Sequence, residues 1–238
     1  MRVEIWSDIA CPWCYVGKAR FEKALGAFPH RDQVEVVHRS FELDPHRAKD
    51  DVQPVLTMLA KKYGMSEAQA QAGEKNLGAQ AAAEGLDYRT SGRDHGNTFD
   101  MHRLLHFAKE QGRQDRLIQI LYRANFAEER SLFTEGDERL VELAVEAGLD
   151  AEGVRTVLAD PAAYADSVRA DEREAAELGA NGVPFFVLDG KYGVSGAQPA
   201  EVFTQALTQA WGERPPLKLI EDGGAEACGP DGCAVPQN

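Results

Sequence analysis

The stretch IACPWCYVGKARFEKAL, residues 9–25, places two cysteines two residues apart where a helical pattern begins. Pro12 suits the first turn of a helix, because its missing N–H group has no intrahelical partner there. Apolar residues recur at helical spacing from Trp13 to Phe28. The pattern therefore predicts a helix that starts at the cysteine pair itself.

Extended segments flank this predicted helix on both sides. Arg2–Ser7 reads as a strand, and residues 34–41 (VEVVHRSF) are rich in the β-branched residues that strands favour. The chain thus opens in the order strand, helix, strand. The two cysteines are expected at the turn from the first strand into the helix.

This position has a chemical consequence for Cys11 and Cys14. Unpaired backbone N–H groups and the positive end of the helix dipole face the first residue of a helix, and both stabilise a thiolate. One helical turn brings Cys14 within bonding reach of Cys11. We expect Cys11 to be the more exposed, attacking thiol and Cys14 the more buried thiol that resolves a mixed disulfide.

Strand character returns in GVPFFVLDGKYGVSGAQP, residues 182–199, after a long helical region from Val52 to Gly179. Asp189-Gly190 is a hairpin turn signal between two short apolar runs. A last helix is predicted from Pro199 to Trp211. Residues 213–238 change composition and read as a tail.

Proline at position 184 lies beside an apolar strand, where it removes a hydrogen-bond donor from the sheet. A trans proline that simply starts the strand is the plain explanation of Pro184 taken alone. Together with the C-P-W-C motif, a cis Val183–Pro184 bond is favoured, with the Val183 backbone free to pair with a substrate near Cys11.

These motifs together resemble the DsbA family of thioredoxin-fold oxidoreductases. CPWC after the first strand, GVPFFVLDGKYGVSGAQP and NTFDMHRLLHFA (residues 97–108) are similar to its FrnE-like branch, which is related to 2-hydroxychromene-2-carboxylate isomerases. The resemblance runs from about Val3 to Trp211. It implies an α/β thioredoxin fold interrupted by a large all-α domain, with a cis-proline loop facing the redox pair.

The resemblance assigns parts of the chain and roles within it. Residues 1–43 and 180–212 are expected to form the thioredoxin-like domain, residues 44–179 the inserted helical domain, and residues 213–238 a cysteine-bearing tail. Cys11 takes the role of nucleophile, Cys14 that of resolving thiol and Pro184 that of the cis-proline. Pro12, Trp13 and Val183 complete the expected substrate-binding residues.

The tail carries the other two cysteines, Cys228 and Cys233, with a Gly-Pro-Asp-Gly turn between them. The four cysteines could in principle supply four thiolate ligands for a zinc ion. Cysteine pairs that bind zinc usually lie in tight turns, however, and not at the start of a helix with Pro-Trp between them. We expect no metal and no cofactor. A tail clip and an accessory redox centre both fit the second pair, and the accessory centre is the favoured interpretation.

Composition limits the partners. The net charge is −13, which argues against nucleic acid, and no run approaches the roughly 18 apolar residues of a membrane span. The start of the chain does not read as a signal peptide, so the cytoplasm is the expected compartment. The expected partners are protein thiols and disulfides, with glutathione or thioredoxin as candidate reductants.

Two other function classes compete with thiol-disulfide exchange. A glutathione-dependent isomerase or transferase shares the scaffold, but such relatives typically carry serine where Cys11 stands. A zinc-binding or holdase-like module is the third class. His102 and His106, four residues apart, are interpreted as packing or hydrogen-bonding residues, and Asp8 as a turn residue rather than a proton relay.

Overall fold

The computed structural model describes residues 1–213 in full, and beyond them only the backbone of Cys228–Gly229 and Gly232–Cys233. A four-stranded mixed sheet lies at its centre. Its strands are β1 (Arg2–Ser7), β2 (Glu35–Ser40), β5 (Phe185–Leu188) and β6 (Tyr192–Ser195), in the order β2-β1-β5-β6. β1 pairs with β2 in parallel and with β5 in antiparallel orientation, and β5 and β6 form the predicted hairpin.

Helices cover both faces of this sheet. The helix bounds are α1 (Pro12–Ala27), α2 (Val55–Tyr63), α3 (Glu67–Ala83), α4 (Phe99–Glu110), α5 (Gln114–Phe126), α6 (Asp137–Glu146), α7 (Ala151–Ala159), α8 (Ala165–Glu177) and α9 (Ala200–Gly212). A single turn of 3₁₀-helix (Arg31–Gln33) precedes β2. Phe21 of α1 and Phe203 of α9 pack on one face of the sheet. On the other face, the Trp6 indole donates a hydrogen bond of 2.8 Å to the Asp171 carbonyl of α8.

This arrangement confirms the expected thioredoxin fold with a large helical insertion between β2 and β5. The expectation that the insertion is all-α is wrong in one detail. Two short strands, β3 (Gln53–Pro54) and β4 (Asp94–His95), pair antiparallel within it. Proline at 54 disfavours helical backbone at Gln53, and the extended segment that results is free to pair with β4.

The helices of the insertion share a hydrophobic core with the start of α1. Ile9, Cys11 and Cys14 belong to the same buried cluster as Leu104 of α4 and Leu121 of α5. The cysteine pair is therefore packed against the insertion rather than standing open on the sheet domain. The division of the chain at residues 43 and 180 stays a prediction.

Candidate functional site

The turn between β1 and α1 sets the position of the first cysteine. Cys11 is the N-cap residue of α1, with an extended backbone (φ −87°, ψ 111°) and Pro12 following at the first helical position. Its N–H group donates to the Asp8 carbonyl at 3.1 Å, and its own carbonyl accepts the Cys14 N–H at 3.0 Å. The sulfur thus lies at the end of the helix where N–H groups remain unpaired.

The two thiols are free and lie side by side, but neither is open to bulk solvent. Cys11 is 4% exposed and Cys14 is 1% exposed. Burial raises the pKa of the Cys14 thiol well above its ordinary value, and the adjacent Cys11 sulfur adds to this effect. Cys14 therefore stays protonated near neutral pH. Cys11 is thus the more exposed of the two, as expected, but the difference is small because the insertion packs against both cysteines.

The loop before β5 faces the cysteine pair. The Val183–Pro184 peptide bond is cis, as predicted. The Cys11 Sγ donates to the Val183 carbonyl at 3.6 Å. The Val183 N–H group donates no hydrogen bond to any residue that the structure describes. The backbone of Val183 thus leaves an unpaired N–H group close to Cys11.

Helix α1 approaches this loop closely at Gly17. A Cβ atom at Gly17 would lie 2.9 Å from Pro184 Cγ and 3.3 Å from Ala197 Cα. Only the absence of a side chain at Gly17 allows α1 and the loop that contains Pro184 to pack at this distance.

Replacing Gly17 by alanine is therefore expected to lower the free energy of unfolding by about 1–3 kcal/mol, the usual cost of an overpacked core position. Urea unfolding followed by tryptophan fluorescence measures it. Gly26→Ala is the matched control, since it lies in the same helix and an added Cβ atom there would meet no atom within 4 Å. That variant is expected to gain about 0.4–1 kcal/mol. Equal effects of the two substitutions would contradict the close-approach explanation.

A cleft of 430 Å³ opens beside Cys11. Of the predicted substrate-binding residues, Pro12, Trp13 and Val183 line it, whereas Pro184 is buried outside its lining. Trp13 is 39% exposed and forms part of the rim. The wall across from α1 comes from the insertion and is mostly apolar, with side chains of α2 and α3 (Val55, Met58, Leu59, Tyr63, Ala70, Leu77).

The cleft lining also carries polar side chains that sequence reasoning missed. Arg93 forms an ion pair with Glu74 of α3, and both side chains are buried. The Arg93 guanidinium also donates to the Tyr88 hydroxyl at 2.8 Å and lies over the Tyr88 ring, 4.8 Å from its centroid. No local motif marks this cluster, because its members come from α3 and from the loop before β4.

His95 lies next to this cluster and is 7% exposed. Its Nε2 has no hydrogen-bond partner among the residues that the structure describes. Burial, assisted by the Arg47 cation, lowers the pKa of His95 to about 4, although Asp8 and Asp44 oppose the shift. The imidazole is therefore neutral at physiological pH.

The low pKa of His95 predicts a stability loss in mild acid. With a folded-state pKa of about 4 and an ordinary value near 6.5, only the unfolded chain takes up the proton between these limits. Stability should therefore fall as the pH drops from 7.5 to 5, with about 2 kcal/mol of the loss due to His95. Urea titrations of the wild type and of His95→Gln measure this. A loss of the same size in both proteins would contradict the assignment.

Asp8 and His102 form a buried pair behind the cysteines. The Asp8 carboxylate accepts the Leu43 N–H at 2.7 Å and the Ala10 N–H at 3.2 Å, and His102 Nε2 lies 3.4 Å from it. Burial raises the pKa of Asp8, but His102, together with the Leu43 N–H and Thr98, outweighs this and lowers the pKa below its ordinary value. Asp8 is thus an ionised anchor of the turn before Cys11, in line with its interpretation as a turn residue.

His106 lies within hydrogen-bonding distance of two polar side chains. His106 Nε2 lies 3.2 Å from the Ser40 hydroxyl and 3.1 Å from Asp171, which agrees with a hydrogen-bonding role. In the part of the chain that the structure describes, no group of three or more His, Cys, Asp or Glu residues is arranged to hold a metal ion.

The second cysteine pair lies where only the backbone is described. Cys228 and Cys233 are directly opposite each other in a short antiparallel pairing. Their side chains lie outside the described residues, so the relation of this pair to Cys11 stays a prediction. Among the described helices, none is long and apolar enough to cross a membrane.

Comparison with known proteins places the chain in a family. The model of the DSBA-like thioredoxin domain matches residues 2–208. The crystal structure of a probable DsbA oxidoreductase from Streptomyces coelicolor is 82% identical in sequence, with full coverage of both chains and a TM-score of 0.88. The uncharacterized protein YwbO of Bacillus subtilis is 29% identical over 210 residues, which cover 87% of this chain and 96% of YwbO.

A more distant structure shares the fold. The cytosolic disulfide reductase DsbM from Pseudomonas aeruginosa is 20% identical, with a TM-score of 0.59 over 88% of this chain and 98% of DsbM.

Proposed function

The chain belongs to the DSBA-like thioredoxin domain family, and on this basis we propose that it is a thiol-disulfide oxidoreductase that exchanges disulfides with protein substrates through Cys11 and Cys14. One observation carries the proposal. Cys11 caps α1 with its sulfur 3.6 Å from the Val183 carbonyl, on the lining of a 430 Å³ cleft, and Cys14 lies one turn behind it.

The first step is attack by the Cys11 thiolate on a substrate disulfide. A bond forms between Cys11 Sγ and one substrate sulfur, the substrate S–S bond breaks, and the other substrate sulfur leaves as a thiolate that takes up a proton. The helix N-terminus favours the charge on Cys11 in this step. Because Cys11 is nearly buried, the substrate sulfur must enter through the cleft.

The second step releases the substrate. Cys14 attacks Cys11 Sγ, an intramolecular S–S bond forms, and the mixed disulfide breaks, with the Cys14 proton passing to the departing thiolate. The raised pKa of Cys14 keeps this thiol protonated and unreactive until a mixed disulfide is held beside it. Two electrons pass from the dithiol to the substrate, and the same steps in reverse oxidise a substrate dithiol.

Substrate binding is proposed to use the unpaired backbone of Val183. Its free N–H group can donate to a carbonyl of an extended substrate segment, as in the addition of a strand to a sheet edge. Pro12 and Trp13 line the entrance and Pro184 supports the loop from behind. Glutathione or thioredoxin would return the enzyme disulfide to the dithiol, and the proposed compartment is the cytoplasm. DsbM, a protein of the same fold, has been solved with glutathione.

Two assays on the purified protein test the proposed activity. The wild type should accelerate reduction of insulin disulfides by dithiothreitol, and it should speed recovery of activity from scrambled ribonuclease. The ratio of the two accelerations gives the preferred direction, as reductase or as isomerase. No acceleration in either assay would reject the proposal.

The tail pair is proposed as an accessory redox centre that exchanges with Cys11 and Cys14. The direct opposition of Cys228 and Cys233 in the backbone pairing supports a reversible disulfide between them. Tethering would give the pair a high effective concentration at the redox site, so the Cys228→Ser/Cys233→Ser variant should slow turnover on the order of tenfold. Unchanged oxidase and reductase rates, with an unchanged reduction potential, would show that the pair only links the tail to itself and takes no part in exchange.

A further inference from the structure

The charged side chains that line the cleft and an adjoining pocket do not balance. Glu74, Arg93 and Asp94 line both the cleft and an adjoining pocket of 330 Å³, and Glu67 lines that pocket as well. Arg93 is committed to Glu74 in a buried ion pair. Three carboxylates thus face one cation, and that cation is already neutralised.

Asp94 is the carboxylate left without a partner. Its side chain makes no ion pair or hydrogen bond with any residue among those that the structure describes, although its backbone is fixed in β4 opposite Pro54. Nearby cations are engaged elsewhere. Arg47 pairs with Asp44 and Asp51, and Lys62 donates to the Leu43 carbonyl at 3.3 Å.

A second group on the same lining, this one buried, also lacks a partner. His95 Nε2 is unsatisfied in the described part of the chain, and His95 lines the cleft beside Asp94. A buried polar atom without a partner costs free energy, and a hydrogen bond from a bound ligand would remove that cost. Because its pKa is about 4, the His95 imidazole carries no charge that would repel a cation.

The rest of the cleft lining is largely apolar. Met58 and Leu59 of α2 and Leu77 of α3 face the cleft. A long side chain with a methylene stem and a charged head suits such a shape, because the stem covers apolar surface while the head reaches a polar group. The net charge of −13 further favours basic partners in the encounter.

We propose that the cleft binds a lysine or arginine side chain that lies close in sequence to the reacting cysteine of the protein substrate. The stem packs along Met58, Leu59 and Leu77, and the head pairs with Asp94. This inference rests on the proposed function, because Cys11 on the same cleft lining is the residue that the substrate sulfur must reach. It adds a substrate preference that the exchange chemistry alone does not require.

A series of peptide disulfides tests the preference. Short peptides of one sequence, each a mixed disulfide with the same small thiol, carry lysine, leucine, glycine or glutamate next to the cysteine. The dithiol form of the wild-type protein, which supplies the two electrons, should reduce the lysine peptide with a second-order rate constant about fivefold above that for the leucine peptide. Glycine should follow, with glutamate slowest. Raising the salt concentration from about 50 to about 500 mM should shrink the lysine advantage.

Asp94→Asn should make the lysine and leucine peptides react at equal rates. Leu77→Asn should instead lower the rates of both the lysine and the leucine peptide relative to that of the glycine peptide. Asp50→Asn, at an exposed acid outside the cleft, is the matched charge control and should retain the wild-type order. Leucine preferred over lysine, or equal rates for all peptides, would overturn the inference while leaving exchange through Cys11 intact. No exchange with any peptide would overturn the proposed function as well.

Discussion

Replacing Cys11 by serine is expected to reduce insulin reduction to the uncatalysed rate, a loss of at least about 10³-fold. The hydroxyl of serine cannot form the mixed disulfide through which exchange proceeds. Cys14 cannot substitute for it, because Cys14 is 1% exposed and burial raises the pKa of its thiol. Turbidity of precipitating insulin chains gives the rate.

Cys14→Ser is the informative counterpart, since it removes resolution but keeps attack. That variant should lose turnover yet accumulate a covalent adduct with the substrate. Both substitutions should be measured in the wild-type protein and in the Cys228→Ser/Cys233→Ser variant. The second background prevents disulfide exchange by the tail cysteines from being mistaken for residual activity of the remaining cysteine of the Cys11/Cys14 pair. Substantial insulin reduction by Cys11→Ser in the second background would contradict the assignment of Cys11.

Replacing Arg93 by methionine is expected to have the largest effect on stability, a loss of about 3–5 kcal/mol in the free energy of unfolding. The change leaves the Glu74 carboxylate buried without its counter-ion. It also removes the guanidinium that lies over the Tyr88 and Phe126 rings, 4.8 Å and 5.1 Å from their centroids. Urea unfolding of the reduced protein measures the loss.

The double variant Glu74→Leu/Arg93→Met should recover much of that stability, because no uncompensated charge then remains in the core. Arg155→Met is the matched control, since Arg155 forms an exposed ion pair with Glu138. It should leave unfolding unchanged. A double variant as unstable as Arg93→Met alone would show that packing of the guanidinium, rather than the stranded charge, causes the loss.

The parts of the fold that local sequence signals control agree with prediction. Pro12 after Cys11 marks the first turn of α1, and Asp189-Gly190 marks the β5–β6 hairpin. The cis bond at Pro184 also agrees. The helix start and the hairpin depend on residues that are neighbours in the chain, so a pattern of a few residues is enough to indicate them. The cis bond needed the distant C-P-W-C motif as well, because Pro184 taken alone favours a trans bond.

The remaining features depend on residues far apart in the chain. Glu74 and Arg93 meet only because α3 folds back beside the loop that leads into β4. Asp8 lies directly after β1 and His102 lies in α4 of the insertion, and no periodicity in the sequence indicates that they pair. The near-complete burial of Cys11 has the same origin, because the insertion covers the start of α1.

The central claim is that substrate sulfur bonds first to Cys11. Its most direct test is to mix the Cys14→Ser variant with a peptide disulfide, quench with acid, digest without reductant and locate the peptide adduct by mass spectrometry. We expect an adduct on the fragment that contains Cys11, at close to one per molecule. An adduct found only on Cys228 or Cys233, or no adduct at all while the wild type still reduces the peptide, would contradict the claim.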